Sequence, residues 1–249
     1  MEHTLLHCCC APCSLSCTAP LRAEGIEPTA LWYNPNIHPW KEYEARRDCL
    51  LNYAPTIGME VRVWEDYGLR EFVRAVSGDI GRRCVYCYSH RLEGAARYAA
   101  EHGFPSFTST LLASTYQDHD AIARAAEHWG RVYGVAFLYR DFRSNFRAGN
   151  QRARELGLYM QKYCGCVFSE EDRYRKKIDR DRARFSEETA GEATREAAGE
   201  TTRETTGEAT REAAGETTRE TTGETTRETT GETTGAARSA RKGVWNYGT

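Results

Sequence analysis

The chain has 249 residues, a formal net charge of −2 and ten cysteines, and its charge is unevenly spread: 13 Glu and 5 Arg fall between Glu187 and Gly235, which leaves the remainder basic. No apolar run of about 18 residues is present, so no membrane span is read, and no basic region followed by a long apolar stretch and a cleavage site opens the chain, so no secretory signal is read. The expected compartment is a reducing cytoplasm, where cysteines in spaced clusters point to metal binding or redox chemistry rather than to a disulfide framework.

Thr4–His7 is a short apolar segment that runs directly into Cys8-Cys9-Cys10-Ala11-Pro12-Cys13. Helix-like Leu15–Glu24 follows, then strand-like Thr29–Tyr33, helix-like Trp40–Tyr53, strand-like Glu60–Trp64 and helix-like Leu69–Val76. Apolar spacing of three and four predicts helices over Cys87–His102 and Ala121–Tyr133, and Ser106–Leu112 and Val135–Leu138 read as short strands between breakers. Alternation of this kind predicts an α/β fold with a largely parallel sheet and flanking helices. In such sheets the binding crevice lies beyond the carboxyl ends of the strands, where both Cys8–Cys13 and Tyr33-Asn34-Pro35-Asn36 fall.

Residues 1–185 can bury a core and are expected to form one domain. Residues 186–249 are different: Glu recurs every fourth residue from Glu188 to Glu232, in units such as Gly-Glu-Thr-Thr-Arg-Glu-Thr-Thr. Thr and Gly are poor helix formers, and a segment without large apolar side chains has nothing to offset the entropy of ordering. This tail is expected to be a disordered, low-complexity spacer with no more than transient helix in its Ala-containing units. The closing stretch Arg238–Tyr247 is basic and aromatic, which suits RNA contact as well as it suits a plain polar terminus.

Three cysteine groups compete for roles: Cys8/Cys9/Cys10/Cys13, Cys84-x-x-Cys87 and Cys164-Gly165-Cys166. Adjacent cysteines can reach neighbouring irons of a cluster, and a Cys-x-x-Cys at a helix start supplies two thiolates favoured by the helix dipole. Tetrahedral zinc suits the same four thiolates. The adjacency of Cys9 and Cys10 leans towards iron, because structural zinc sites usually space their paired cysteines. Cys164 and Cys166 could close a small strained disulfide of the labile, redox-relay kind, or add metal ligands. Cys17 and Cys49 lie in helix-like stretches and read as packed thiols.

A family resemblance rests on many motifs in order. His7, Cys9-Cys10-Ala11-Pro12-Cys13, Tyr33-Asn34-Pro35-Asn36-Ile37-His38-Pro39, Glu42-Tyr43-x-x-Arg46, Arg83-Cys84-x-x-Cys87, Thr110-Leu111-Leu112, Tyr139–Arg143 and Tyr163–Ser169 resemble the cobalamin-independent epoxyqueuosine reductases, the QueH family. The likeness spans about Leu5 to Ser169 and leaves out the repeat tail. It implies a Rossmann-like (HUP-type) fold and two-electron reduction of epoxyqueuosine to queuosine at the wobble position of tRNA. It further implies a [4Fe-4S] cluster on Cys9, Cys10, Cys84 and Cys87, a redox-active pair at Cys164 and Cys166, and an additional iron ion beside the cluster, for which Cys13 is the candidate ligand. The partners implied are a tRNA carrying epoxyqueuosine and an electron donor of unspecified identity.

Two other classes compete with that reading. A thiol-dependent tRNA sulfur-transfer enzyme needs an ATP-phosphate loop, and no Ser-Gly-Gly-x-Asp-Ser or Walker-type run occurs. A zinc-stabilised RNA-binding module would use the same cysteines. For proton delivery the candidates are His7, His38, Asp118, His119, Asp120 and Asp141, although capping or structural duty is the leading reading for each and none is singled out. Tyr33, Asn34 and Asn36 suit substrate binding by amide hydrogen bonds, and equally suit turn formation. Arg82, Arg83, Arg140, Arg143 and Arg147 can meet tRNA phosphates, or form ordinary solvated surface.

Overall fold

The computed structural model describes residues 2–215. Its sheet is built from β1 (Glu2–His7), β2 (Ile26–Trp32), β3 (Val61–Val63), β4 (Ser106–Ser109) and β5 (Ala136–Phe137). The order across the sheet is β3-β2-β1-β4-β5, and every neighbouring pair is parallel. The chain winds outward from β1 to β3 and then returns past β1 to β4 and β5. This doubly wound, Rossmann-like arrangement is the parallel α/β sheet that the segment alternation predicts, and its direction reverses between β1 and β4.

The helices are α1 (Ala11–Ala23), α2 (Trp40–Tyr53), α3 (Leu69–Val76), α4 (Arg83–Glu101), α5 (His119–Tyr133), α6 (Phe146–Glu155) and α7 (Val167–Gly215). α1 packs with α2 and α6, and α4 with α3 and α5. Thr4, Leu5, Leu6 and His7 are buried in succession rather than alternately, as a strand covered on both faces requires. Leu5, Leu6, Leu31 and Phe107 are fully buried, each worth roughly 1.5–3 kcal/mol of apolar transfer.

Several boundaries differ from the sequence expectation for local reasons. α1 begins at Ala11 rather than Leu15, because the Cys10 side chain caps it by accepting from the Cys13 amide at 3.4 Å and Pro12 suits a first turn. α4 begins at Arg83 rather than Cys87, which brings Cys84 and Cys87 into its first turns. β4 stops at Ser109, whose Oγ accepts from the Leu111 amide at 3.1 Å and turns the chain into a 3-10 segment, Thr110–Ala113. α6 carries no apolar stripe; its buried residues are Gly149 and Ala153, so small size rather than periodicity seats it.

The chain divides into two units, Met1–Ala183 and Arg184–Thr249. Within the second, residues 184–196 are exposed throughout, and Arg184 pairs with Glu188 one turn on at 3.8 Å. The helix continues through this unit to Gly215, where composition predicts no lasting order. Four-residue charge spacing is the local interaction available to support it without a core. Residues 216–249, including Arg238–Tyr247, lie outside the described residues.

Candidate metal centre

β1 delivers the chain through Cys8 into the cap of α1. The Cys8 amide donates to the Leu31 carbonyl at 2.9 Å, and its side chain is fully buried in the apolar core. Cys9, Cys10 and Cys13 instead gather apart from that core, their sulfurs all within 4.8 Å of one another. Cys9 Sγ lies 3.9 Å from Cys10 Sγ. Thr110 Oγ1 accepts from the Cys9 amide at 3.1 Å and donates to Cys9 Sγ at 3.4 Å. From 151 positions further along the chain, Gln161 Nε2 donates to Cys10 Sγ at 3.0 Å and to Cys13 Sγ at 3.5 Å. Hydrogen bonds from Cys10 and then Cys13 hold the Cys9 thiol well below its ordinary value, whereas burial pushes Cys10 well above it. Left to themselves these groups favour one thiolate; a bound cation would favour all of them.

Cys84 and Cys87 sit at the amino end of α4, where the helix dipole favours negative charge. Cys87 is buried and packs with Cys166, Phe72 and Val76. Arg91 follows one turn later on the same face, and a helical side chain leans towards the amino end. Its Nη2 donates to Cys87 Sγ at 3.1 Å and its Nε to the Cys87 carbonyl at 3.3 Å. Burial still pushes the Cys87 thiol up to about 12, against the pull of Arg91. Cys87 and Cys166 pack in one cluster, whereas among the described residues the sulfurs that come within 4.8 Å of one another are those of Cys9, Cys10 and Cys13.

The Cys164-Gly165-Cys166 turn is held by its backbone. Arg46 Nη1 donates to the Cys164 carbonyl and Nη2 to the Tyr163 carbonyl, each at 2.9 Å, while Nε donates to Glu42 Oε1 at 2.7 Å. Tyr159 donates its hydroxyl hydrogen to the other Glu42 oxygen. Gly165 has φ +151°, and a Cβ there would lie 3.2 Å from Ile37 Cγ1, which favours glycine on both counts. Its carbonyl accepts from the His38 amide at 2.8 Å and its amide donates to Ser169 Oγ at 3.1 Å. Cys164 and Cys166 are free thiols; Cys164 is exposed, with Gln117 Nε2 3.8 Å from its sulfur.

The other sequence candidates divide sharply. Tyr33 is packed away at 3% exposure, stacked on Trp64 at 4.4 Å between ring centres. Asn34 and Asn36 are buried, and the Oδ1 atom of each lacks a partner among the described residues. His7 Nε2 must donate to the Tyr33 carbonyl at 3.0 Å, so Nδ1 accepts from the Ser109 hydroxyl at 2.8 Å. Burial, with Arg91 next, lowers His7 to about 4; burial likewise lowers His38 to about 4. Asp118 caps α5 by accepting from the Ala121 amide at 2.9 Å. Asp141 is held down at about 2 by hydrogen bonds from Arg143. His119 Nε2 donates to the Ser114 carbonyl at 3.2 Å, and Asp120 is an exposed first-turn residue of α5.

Three of the five arginines already have partners: Arg83 with Asp172, Arg140 with Glu24, and Arg143 with Asp141. Arg82 and Arg147 are exposed and form no ion pair among the described residues. Sequence reasoning gave no role to Arg91, Gln117 or Gln161. Arg91 lies four residues after Cys87, a spacing that would have placed it against that thiol once α4 was known.

The donor set suits an iron-sulfur group or another thiophilic metal. Clustered buried sulfurs, N–H and O–H donors aimed at them, and a buried guanidinium beside them all favour an anionic, sulfur-ligated occupant.

The family model described as Epoxyqueuosine reductase QueH matches residues 4–172. Curated relatives carry the same description. One from Dehalococcoides mccartyi is 36% identical over 172 residues, covering 69% of this chain and 94% of its own. One from Haemophilus influenzae is 39% identical over 181 residues, covering 68% and 71%. One from Thermotoga maritima is 35% identical over 193 residues, covering 74% and 98%. A solved structure from Methanocaldococcus jannaschii, described as a predicted subunit of tRNA methyltransferase, is 14% identical with a TM-score of 0.35, covering 62% of this chain and 89% of its own. That last likeness is too slight to carry inference.

Proposed function

The chain belongs to the epoxyqueuosine reductase QueH family, and from that premise we propose that it reduces epoxyqueuosine in tRNA to queuosine at an iron-sulfur centre held by its clustered cysteines. The chain is thus an oxidoreductase of queuosine biosynthesis. The net change takes up two electrons from an external donor and two protons, and releases the epoxide oxygen as water.

The proposed ligands of a [4Fe-4S] cluster are Cys9, Cys10, Cys84 and Cys87, with Cys13 facing an adjacent iron and Cys164 and Cys166 as a redox-active pair. The observation that carries the iron-sulfur reading is the gathering of the Cys9, Cys10 and Cys13 sulfurs within 4.8 Å of one another. When bound, such a group supplies electrons and Lewis acidity at the departing oxygen.

The protein's own residues shape the rest of the site. Arg46 holds the Cys164 and Tyr163 carbonyls and so fixes where the thiol pair stands. The unpartnered carbonyl oxygens of Asn34 and Asn36 are the proposed acceptors for substrate hydroxyl or ring N–H groups. Tyr33 is left out of that role because its ring is spent on packing. Burial keeps His7 and His38 as neutral imidazoles near pH 7 and Asp141 is ionised there, so none of the three offers an acidic proton. Of the five arginines singled out by sequence, Arg82 and Arg147 are the ones without an ion pair and are proposed to meet tRNA phosphates.

The test is anaerobic quantitation of iron, sulfide and zinc, paired with nucleoside analysis of tRNA from a strain lacking the protein. Iron and sulfide in the protein and epoxyqueuosine accumulating in the tRNA are expected. Zinc alone, or normal queuosine in the deletion strain, would overturn the reading.

A further inference from the structure

Among the described residues three formally charged side chains are buried: Glu42, Arg46 and Arg91, at 8%, 1% and 2% exposure. Glu42 and Arg46 neutralise each other. Arg91 has no carboxylate partner among the described residues, and its polar contacts are the sulfur and carbonyl of Cys87. A buried cation without a counterion is strongly disfavoured. The anion that compensates Arg91 must therefore come from the cysteines it faces.

We propose that Arg91 is a positioning residue that sets the reduction potential of the cysteine-held centre, its permanent positive charge favouring the state that carries the additional electron. The inference rests on the iron-sulfur reading given above. Its basis is geometric: a guanidinium N–H points at a candidate ligand sulfur 3.1 Å away, inside a water-poor site. Net charge and hydrogen bonds to ligand sulfur are the levers by which a protein tunes such centres. An electron added from an external low-potential reductant, with no proton taken up, makes the centre one unit more negative, and a fixed cation stabilises that state relative to the oxidised one. Arginine suits the position because its planar fork reaches the carbonyl and the sulfur of Cys87 together.

The same charge acts on neighbouring groups. Arg91 is among the influences that lower His7, and it pulls against the burial that raises Cys164.

The test compares full-length wild type, Arg91→Lys and Arg91→Gln, each purified anaerobically. Iron and sulfide content are measured, and the midpoint potential is followed spectroscopically in a dithionite titration with mediator dyes. Arg91→Gln is expected to shift the midpoint to more negative potential, or to lose the iron altogether, while Arg91→Lys keeps wild-type iron and stays close to the wild-type midpoint. The proposal is overturned if Arg91→Gln retains both iron and the wild-type potential, or if Arg91→Lys shifts or loses iron as far as Arg91→Gln does. Wild type tested alone for iron, sulfide and conversion of epoxyqueuosine reports separately on the iron-sulfur reading, so the two failures are told apart.

Discussion

Arg46 and Cys164 are joined across most of the folded unit: the guanidinium on α2 donates to the Cys164 carbonyl at 2.9 Å and to the preceding carbonyl at the same distance. The same group is paired with buried Glu42. Arg46→Ala would leave that carboxylate without its ion pair and release the cysteine turn. Loss of about 3–5 kcal/mol of stability is expected by urea unfolding, together with loss of epoxyqueuosine turnover. Arg46→Lys keeps the charge but not the fork, and should fall between.

The cysteines should separate by readout. Alanine at Cys9, Cys10, Cys84 or Cys87 is expected to abolish stable iron and sulfide binding, measured by anaerobic metal and sulfide assay. Cys10→Ala also removes the cap of α1, at a further cost of about 1 kcal/mol. Alanine at Cys164 or Cys166 should leave iron in place and stop turnover. Cys8→Ala, altering a thiol in the apolar core, should keep both; loss of iron in that variant would contradict the ligand assignment.

His7 makes acid stability measurable. Its value falls from 6.5 to about 4 on folding, so below 6.5 the unfolded chain binds a proton that the folded chain refuses. The stabilising contribution is full above 6.5 and is lost as pH falls towards 4, amounting to about 2 kcal/mol between pH 7 and pH 5. His38 adds a loss of the same sign. His7→Asn should flatten the pH 7 to pH 5 difference in urea unfolding free energy by about that amount, at the expense of overall stability. A variant as pH-sensitive as wild type would contradict a neutral, buried His7.

Tyr33 and Gly94 offer a packing test. A Cβ at Gly94 would meet Tyr33 Cε1 at 2.2 Å, and the ring is already pressed against Trp64. Gly94→Ala is expected to destabilise by about 1–3 kcal/mol in urea, although alanine is the better helix former. Unchanged stability would mean that the Tyr33 ring is free to move aside.

A chain ended after residue 185 should keep the unfolding midpoint and iron content of the full-length protein. The first unit closes at Ala183, and residues 184–196 bury no side chain.

The parallel sheet was legible because buried strands and amphipathic helices announce themselves by composition and period. α2 and α3 have the bounds expected from the sequence, Trp40–Tyr53 and Leu69–Val76. α6 was not legible, since Gly149 and Ala153 make its buried face and neither registers as an apolar pattern. The cysteines were visible by spacing, and Glu42 and Arg46 by motif. Arg91 was invisible for a physical reason: an arginine in an amphipathic helix is assigned to the solvated face until the fold shows it on the buried one. Gln161 was invisible because its partners lie 151 and 148 positions earlier in the sequence.

The placement of the cysteines along the chain also imposes an order on assembly. Cys9, Cys10 and Cys13 leave the ribosome before Gln161 and the Cys164-Gly165-Cys166 turn, which are among the last parts of the folded unit to be synthesised. During that interval the first thiols are without the donors that later face them, and any metal they meet finds an incomplete binding surface. A folded unit cut short before Gln161 would therefore lack the amide that donates to Cys10 and Cys13.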